Sequence, residues 1–215
     1  MARVIYSHEN MRKSHDNGAY WYSVELCKYI IPKIKTNRPW FTIKIGDMCL
    51  DHAIYFIHSN LRLERYAFLK EYKDIIAVCG TPETAEAMKE YVDHTIYLPL
   101  SVNVSFVQQF QQEKKDRTVC YAGRSWKPGI ELVKTLAHPD IPDMLCDMPR
   151  KQLLSELGHY RYVFAVGRTA IEAKILGCHI LPYDIRYPDP SFWQIISNQE
   201  VIPMLQAALD AIDMV

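Results

Sequence analysis

The residues with the clearest chemical meaning lie in 162–177, YVFAVGRTAIEAKILG. An apolar, strand-like run ends at Gly167, and Arg168-Thr169 opens a helical pattern. The first N–H groups of a helix have no partner inside it and the helix dipole is positive there, so this junction suits a phosphate. Glu172 follows in the first turn, within reach of a ribose hydroxyl on a nucleotide held at the junction. The same position suits a carboxylate that only complements the dipole, with Gly167 a tight turn. A second signal is YAGRSWKPG, residues 121–129, which sets Arg124 and Lys127 on a glycine-bounded loop after another strand-like run. A guanidinium grips two phosphate oxygens at once, and an ammonium adds a mobile point charge. Facing the helix start at Thr169, the pair would neutralise a diphosphate. Read without that partner, they are two solvated surface cations.

Acid–base candidates stand in the first half. His8 and Glu9 follow the first strand-like run, Asp16-Asn17-Gly18 precedes a helical pattern, and His58 ends the run AIYFIH. His8 or Asp16 can serve as a general base that takes a proton from an acceptor hydroxyl. A histidine at a strand end is equally an ordinary hydrogen-bonding residue. His15, His52, His94, His138, His159 and His179 show no metal-ligand spacing, so no metal site is expected. Tyr20-Trp21-Tyr22 and Trp126 can stack on a sugar or a base. Helical spacing spreads the first three around the helix, so at least one of them belongs to a core.

The elements that must position these groups alternate between strand and helix along the whole chain, which predicts an α/β fold with mainly parallel sheets. In the first half, strands are expected at residues 3–7, 41–46, 53–58, 74–79 and 95–100, with a helix over 19–31. Thr81 and Pro82 read as the N-cap and first position of another helix. Residues 102–116 are polar, lack a strand pattern and suit a connection between lobes. A second series follows, with strands at 117–123, 140–146, 161–167 and from 179. Helices are expected at 129–137, 150–157, 169–176 and 198–212, with Gly177 as a left-handed cap. Gly18, Gly46, Gly80, Gly123 and Gly167 stand at strand ends or helix starts, where ligands bind in open α/β sheets.

With these residues in place, the two loops of the second half resemble the C-terminal half of GT-B glycosyltransferases, particularly the large retaining family that uses nucleotide-sugar donors. Gly123, Arg124, Lys127 and Gly129 resemble that family's Gly-Arg and Lys-Gly, which bind the donor diphosphate. Glu172, Ala173, Gly177 and the HILPYD strand resemble its Glu-Ala helix, and the resemblance implies that Glu172 binds the donor ribose. Pro99, Val102 and Phe106 are similar to its interlobe connection. Gly18 resembles its glycine-containing loop near the donor, and His58 a histidine that contacts the donor sugar. One position departs: Phe164 stands where the retaining family has the first of two glutamates.

The resemblance implies two small Rossmann-like lobes with parallel sheets facing a central cleft, an acceptor lobe at 1–105 and a donor lobe at 106–215. It implies a metal-independent glycosyltransferase with no cofactor, moving a sugar from a nucleoside-diphosphate sugar such as UDP-glucose to a hydroxyl acceptor. A modified DNA base, a glycan or a protein would serve as acceptor. The second reading is a catalytically inactive nucleotide-binding module that kept the cleft, and a third is an interaction protein.

Composition bounds all three. Lys+Arg 25 balances Asp+Glu 25, which argues against a protein devoted to duplex nucleic acid. An apolar fraction of 49% supports a packed core and excludes disorder. No apolar run approaches the roughly 18 residues of a membrane span, and the N-terminus lacks a signal-peptide pattern, so a cytoplasmic protein is expected. Cys27, Cys49, Cys79, Cys120, Cys146 and Cys178 lack zinc or redox spacing and read as buried reduced thiols.

Overall fold

The computed structural model describes residues 3–7, 18–44, 46–58, 62–125, 129–136 and 141–214. Its contacts divide the chain into two units. One is built on Ala19–Leu100 with the first strand and Ile196–Val215, and the other on Ser101–Ile195. The sequence reading grouped residues 196–215 with the second lobe. Helix α7 (Val201–Asp213) instead packs Val201, Leu205 and Leu209 into the core of the first unit.

In the first unit β1 (Val4–Tyr6), β2 (Trp40–Phe41), β3 (Ile54–Ile57), β4 (Ile76–Cys79) and β5 (His94–Tyr97) form one parallel sheet in chain order. Such a sheet is covered on both faces, and its strands read as continuous apolar runs rather than alternating ones. Trp40, Ile54, Phe56, Ile76 and Val78 face Leu26, Ile30 and Ile31, which continue helix α1 (Gly18–Glu25), together with α7. Phe41, Tyr55, Ile57, Ala77 and Cys79 face Tyr66 and Leu69 of a 3₁₀ helix, and Ala85 and Met88 of α2 (Pro82–Met88). Every step across the sheet runs the same way, yet the β1–β2 connection covers one face and the β3–β4 and β4–β5 connections the other. The crossovers therefore change hand between β2 and β3, a departure from the uniform right-handed rule.

Thr81 caps α2 as expected, its Oγ1 accepting from the Thr84 N–H at 3.3 Å, with Pro82 in the first turn. Two expectations change. Among its described residues the run 41–46 keeps Phe41 in a strand; beyond it Lys44 Nζ donates to the Gly46 carbonyl and to Asp47, and Gly46 turns the backbone at φ +59. Residues 102–116 contain a helix, α3 (Val104–Gln108), because Asn103 caps it by accepting from the Phe106 N–H at 3.1 Å.

The second unit contains β6 (Arg117–Gly123), α4 (Ile130–Leu136), β7 (Asp143–Cys146), α5 (Arg150–Leu157), β8 (Tyr160–Phe164), α6 (Arg168–Ile175) and β9 (His179–Leu181). Its sheet is parallel, in the order β7-β6-β8-β9. The chain steps from β6 out to β7, then crosses back past β6 to β8. The order therefore reverses between β6 and β8, and ligands of open α/β sheets bind beyond the carboxyl ends of the strands at such a point. Gly177 closes α6 at φ +79. No helix among the described residues is long and apolar enough to cross a membrane.

Candidate functional site

The reversal point brings the two sequence-marked loops of the second half onto neighbouring strands. Tyr121 of β6 pairs in register with Phe164 of β8, so Gly123-Arg124 and Gly167-Arg168 both emerge at the carboxyl edge of adjacent strands. Gly167 has φ 65 and ψ −143, a conformation open essentially to glycine alone, and its carbonyl accepts from Ala170 and Ile171 at 3.0 and 3.3 Å to start α6. Thr169 lies half-buried in the first turn.

Arg124 is half-buried and is held from two directions. Its Nη1 donates to Asp147 Oδ1 at 3.0 Å, and its carbonyl accepts from the Tyr121 hydroxyl at 3.0 Å. Asp147 sits just past β7 with φ 53, a strained value for a residue with a side chain, and its N–H bonds the Gly123 carbonyl at 3.1 Å. Its Oδ2 accepts from the N–H and hydroxyl of Ser125 at 3.2 and 2.5 Å. The Ser125 hydroxyl and then Arg124 hold the Asp147 carboxyl below the usual carboxylate range. The turn 123–125 is thus tied to the end of β7 as well as to its own strand.

Glu172 is buried at 4% exposure and is not a simple dipole-complementing carboxylate. Its Oε1 accepts from Arg150 Nε and Nη2 at 3.0 and 2.6 Å, and Arg168 Nε lies 3.4 Å away. Arg150, the first residue of α5, also places its guanidinium over the Phe106 ring at 5.2 Å from the centroid. Charges this deep are stable only when paired and hydrogen-bonded, so the cluster ties α5 and α6 together beneath the carboxyl edge of the sheet.

Phe164 is 3% exposed and packs with Tyr121, Val133 and Tyr183. A carboxylate there would lie inside an aromatic core.

Arg124, Gly167, Arg168, Thr169 and Glu172 are therefore gathered at one edge of one sheet. Two participants were not singled out from the sequence, Asp147 and Arg150. Their only signal is that the segment DMPR follows a strand. Lys127, His8, Asp16 and Trp126 lie outside the described residues.

The other two sequence candidates lie at the start of α1 and just after β3. Gly18 opens α1 in open space, where nothing lies within 4 Å of an added Cβ. His58 follows β3 in the first unit, half-buried, with its ring edge-on to Tyr22 at 5.6 Å. Its Nε2 faces the Thr42 carbonyl. A carbonyl can only accept, so Nε2 carries the proton of this bond. Thr42 also shares a 2.5 Å hydroxyl contact with Ser23, and both are fully buried. Of the aromatic trio, Tyr22 is the core member, packed on Phe56. No group of three or more His, Cys, Asp or Glu among the described residues is arranged to hold a metal ion. The chain matches no family model, no curated protein and no solved structure.

Proposed function

We propose that this chain is a GT-B-type glycosyltransferase that moves a sugar from a nucleoside-diphosphate donor, such as UDP-glucose, to a hydroxyl acceptor. The supporting observation is the adjacency of Gly123-Arg124 and Gly167-Arg168 at the order reversal of the second sheet. Two phosphates placed there meet a guanidinium on one strand end and a helix start on the next. In this reading Arg124, Lys127 and the amino end of α6 stabilise the charge that develops on the departing diphosphate. These cationic groups take the role a divalent ion has elsewhere, and the rate does not respond to a chelator. Glu172, with Oε1 bound to Arg150, contacts a ribose hydroxyl through Oε2. His58 contacts the donor sugar, and in an inverting variant His8 or Asp16 is the general base. The acceptor is a hydroxyl on a modified DNA base, a glycan or a protein.

The test is incubation with a panel of nucleotide sugars, with release of nucleoside diphosphate as the readout. Arg124→Ala is expected to lose about 10²–10³-fold in rate, the usual effect of deleting one preorganised electrostatic donor. Full activity in that variant refutes the assignment.

The burial of Phe164 favours a second reading, a nucleotide-binding module without transfer chemistry. It predicts thermal stabilisation by nucleotide sugars with no release of nucleoside diphosphate.

A further inference from the structure

The turn that carries Arg124 rests on two tyrosines that the preceding chemistry does not use. Tyr121 is fully buried in β6, and Tyr183, two residues beyond β9, is 5% exposed. Their rings meet edge-on at 5.6 Å, and Tyr183 also lies edge-on to Phe164 at 6.5 Å. The Tyr121 hydroxyl donates to the Arg124 carbonyl at 3.0 Å, so its proton is committed. Burial raises both phenols, which keeps both protonated.

The glycines at each end of the loop touch the same pair. A Cβ on Gly123 would come within 2.6 Å of the Tyr121 hydroxyl oxygen, and one on Gly129 within 3.1 Å of the Tyr183 ring. Gly129 also needs φ +93. The spacing that frames Arg124 is thus explained by close packing on a tyrosine platform. Phe164 belongs to the same platform, which accounts for an aromatic residue at that position.

We propose that Tyr121 is a positioning residue whose hydroxyl, on a ring packed edge-on to Tyr183, fixes the Arg124 backbone and presents its guanidinium and the turn 123–125 to a ligand diphosphate in one conformation. The ligand part of this inference rests on the nucleotide reading above; the ordering of the turn does not.

Tyr121→Phe removes the hydroxyl and keeps the ring. Tyr160→Phe is the control, because it also deletes a hydroxyl of this sheet, one that donates to Asp143 at 2.7 Å. Two measurements are made on the full chain. In hydrogen exchange, the Ser125 amide, protected by Asp147, is expected to exchange about twofold to tenfold faster in Tyr121→Phe and at the wild-type rate in the control. In calorimetry, UDP is expected to bind about twofold to tenfold more weakly to Tyr121→Phe alone. Unchanged Ser125 exchange in Tyr121→Phe overturns the inference, as does an equal effect in Tyr160→Phe. If wild-type protein binds no UDP, the nucleotide reading falls, and the exchange result still decides whether the Tyr121 hydroxyl orders the turn.

Discussion

Arg150 and Glu172 provide the strongest test of whether the candidate site is built on a structural ion pair. Their side chains are 7% and 6% exposed and meet at 2.6 and 3.0 Å through two guanidinium nitrogens. Breaking a buried pair from one side leaves a desolvated charge, which costs about 3–5 kcal/mol. Arg150→Met and Glu172→Gln should each lower stability by that amount, or about 6–20 °C in Tm at the 2–4 °C per kcal/mol typical of a chain this size. The double variant Arg150→Met/Glu172→Leu replaces both charges with apolar volume, and such replacements are often neutral or stabilising. Because Arg168, 3.4 Å from Glu172, stays charged there, the double variant should recover part of the loss, and the effects of the two single changes are non-additive. Urea unfolding of the four proteins measures the cycle. A cost below about 1 kcal/mol for either single variant refutes the reasoning, because pairs of that strength are exposed ones. A Glu172→Gln protein with wild-type stability but weakened UDP binding would show that the carboxylate serves a ligand and not the fold.

Other outcomes follow from individual residues. Gly167→Ala should cost about 1–3 kcal/mol in urea unfolding, because a Cβ there meets no neighbour but the backbone conformation excludes it. Gly18→Ala, in helical backbone with equally open surroundings, should be neutral or stabilise by up to about 1 kcal/mol in the same experiment. Asp147, whose folded pKa lies below its unfolded value near 3.9, contributes stability in full above that value. The contribution disappears as pH falls through the folded pKa, so the acid-induced drop below about pH 4 should be smaller in Asp147→Asn than in wild type. A thiol reagent added to native protein should label the half-buried Cys27 and Cys146 first. Burial pushes Cys49 up to about 11 and Cys79 up to about 12, and these should react only on unfolding; mass spectrometry of the labelled peptides reads the order.

The elements of the second half were legible where local chemistry and tertiary need agree. Strand 117–123 and helix 150–157 stand at the residues expected, since an apolar run ending in glycine and a polar–apolar pattern leave few alternatives. The junction at Gly167 was readable for the same reason, because its positive φ demands the glycine that the sequence shows. What a single sequence does not carry is strand order. Asp147 meets Arg124 across 23 residues, and Arg150 meets Glu172 across 22, only because β7 lies beside β6 and because α5 packs on α6. The apolar stripe of α7 was visible as periodicity, but nothing in it said which sheet it would cover. Glu172 reads from the sequence as a first-turn carboxylate, but α6 starts at Arg168 and has no acidic residue in its first turn. The burial of Glu172 against Arg150 depends on the same long-range packing, and that changes it from a surface carboxylate into a buried one.

The proposed diphosphate site lies at the carboxyl ends of β6 and β8, and a crystal of the chain soaked with UDP examines it without an intermediate assay. Diphosphate density is expected against the Gly123–Ser125 turn and the first turn of α6, with Arg124 on its oxygens and the ribose toward Glu172. UDP bound elsewhere, or a fully soaked crystal with no density between these strand ends, would contradict it.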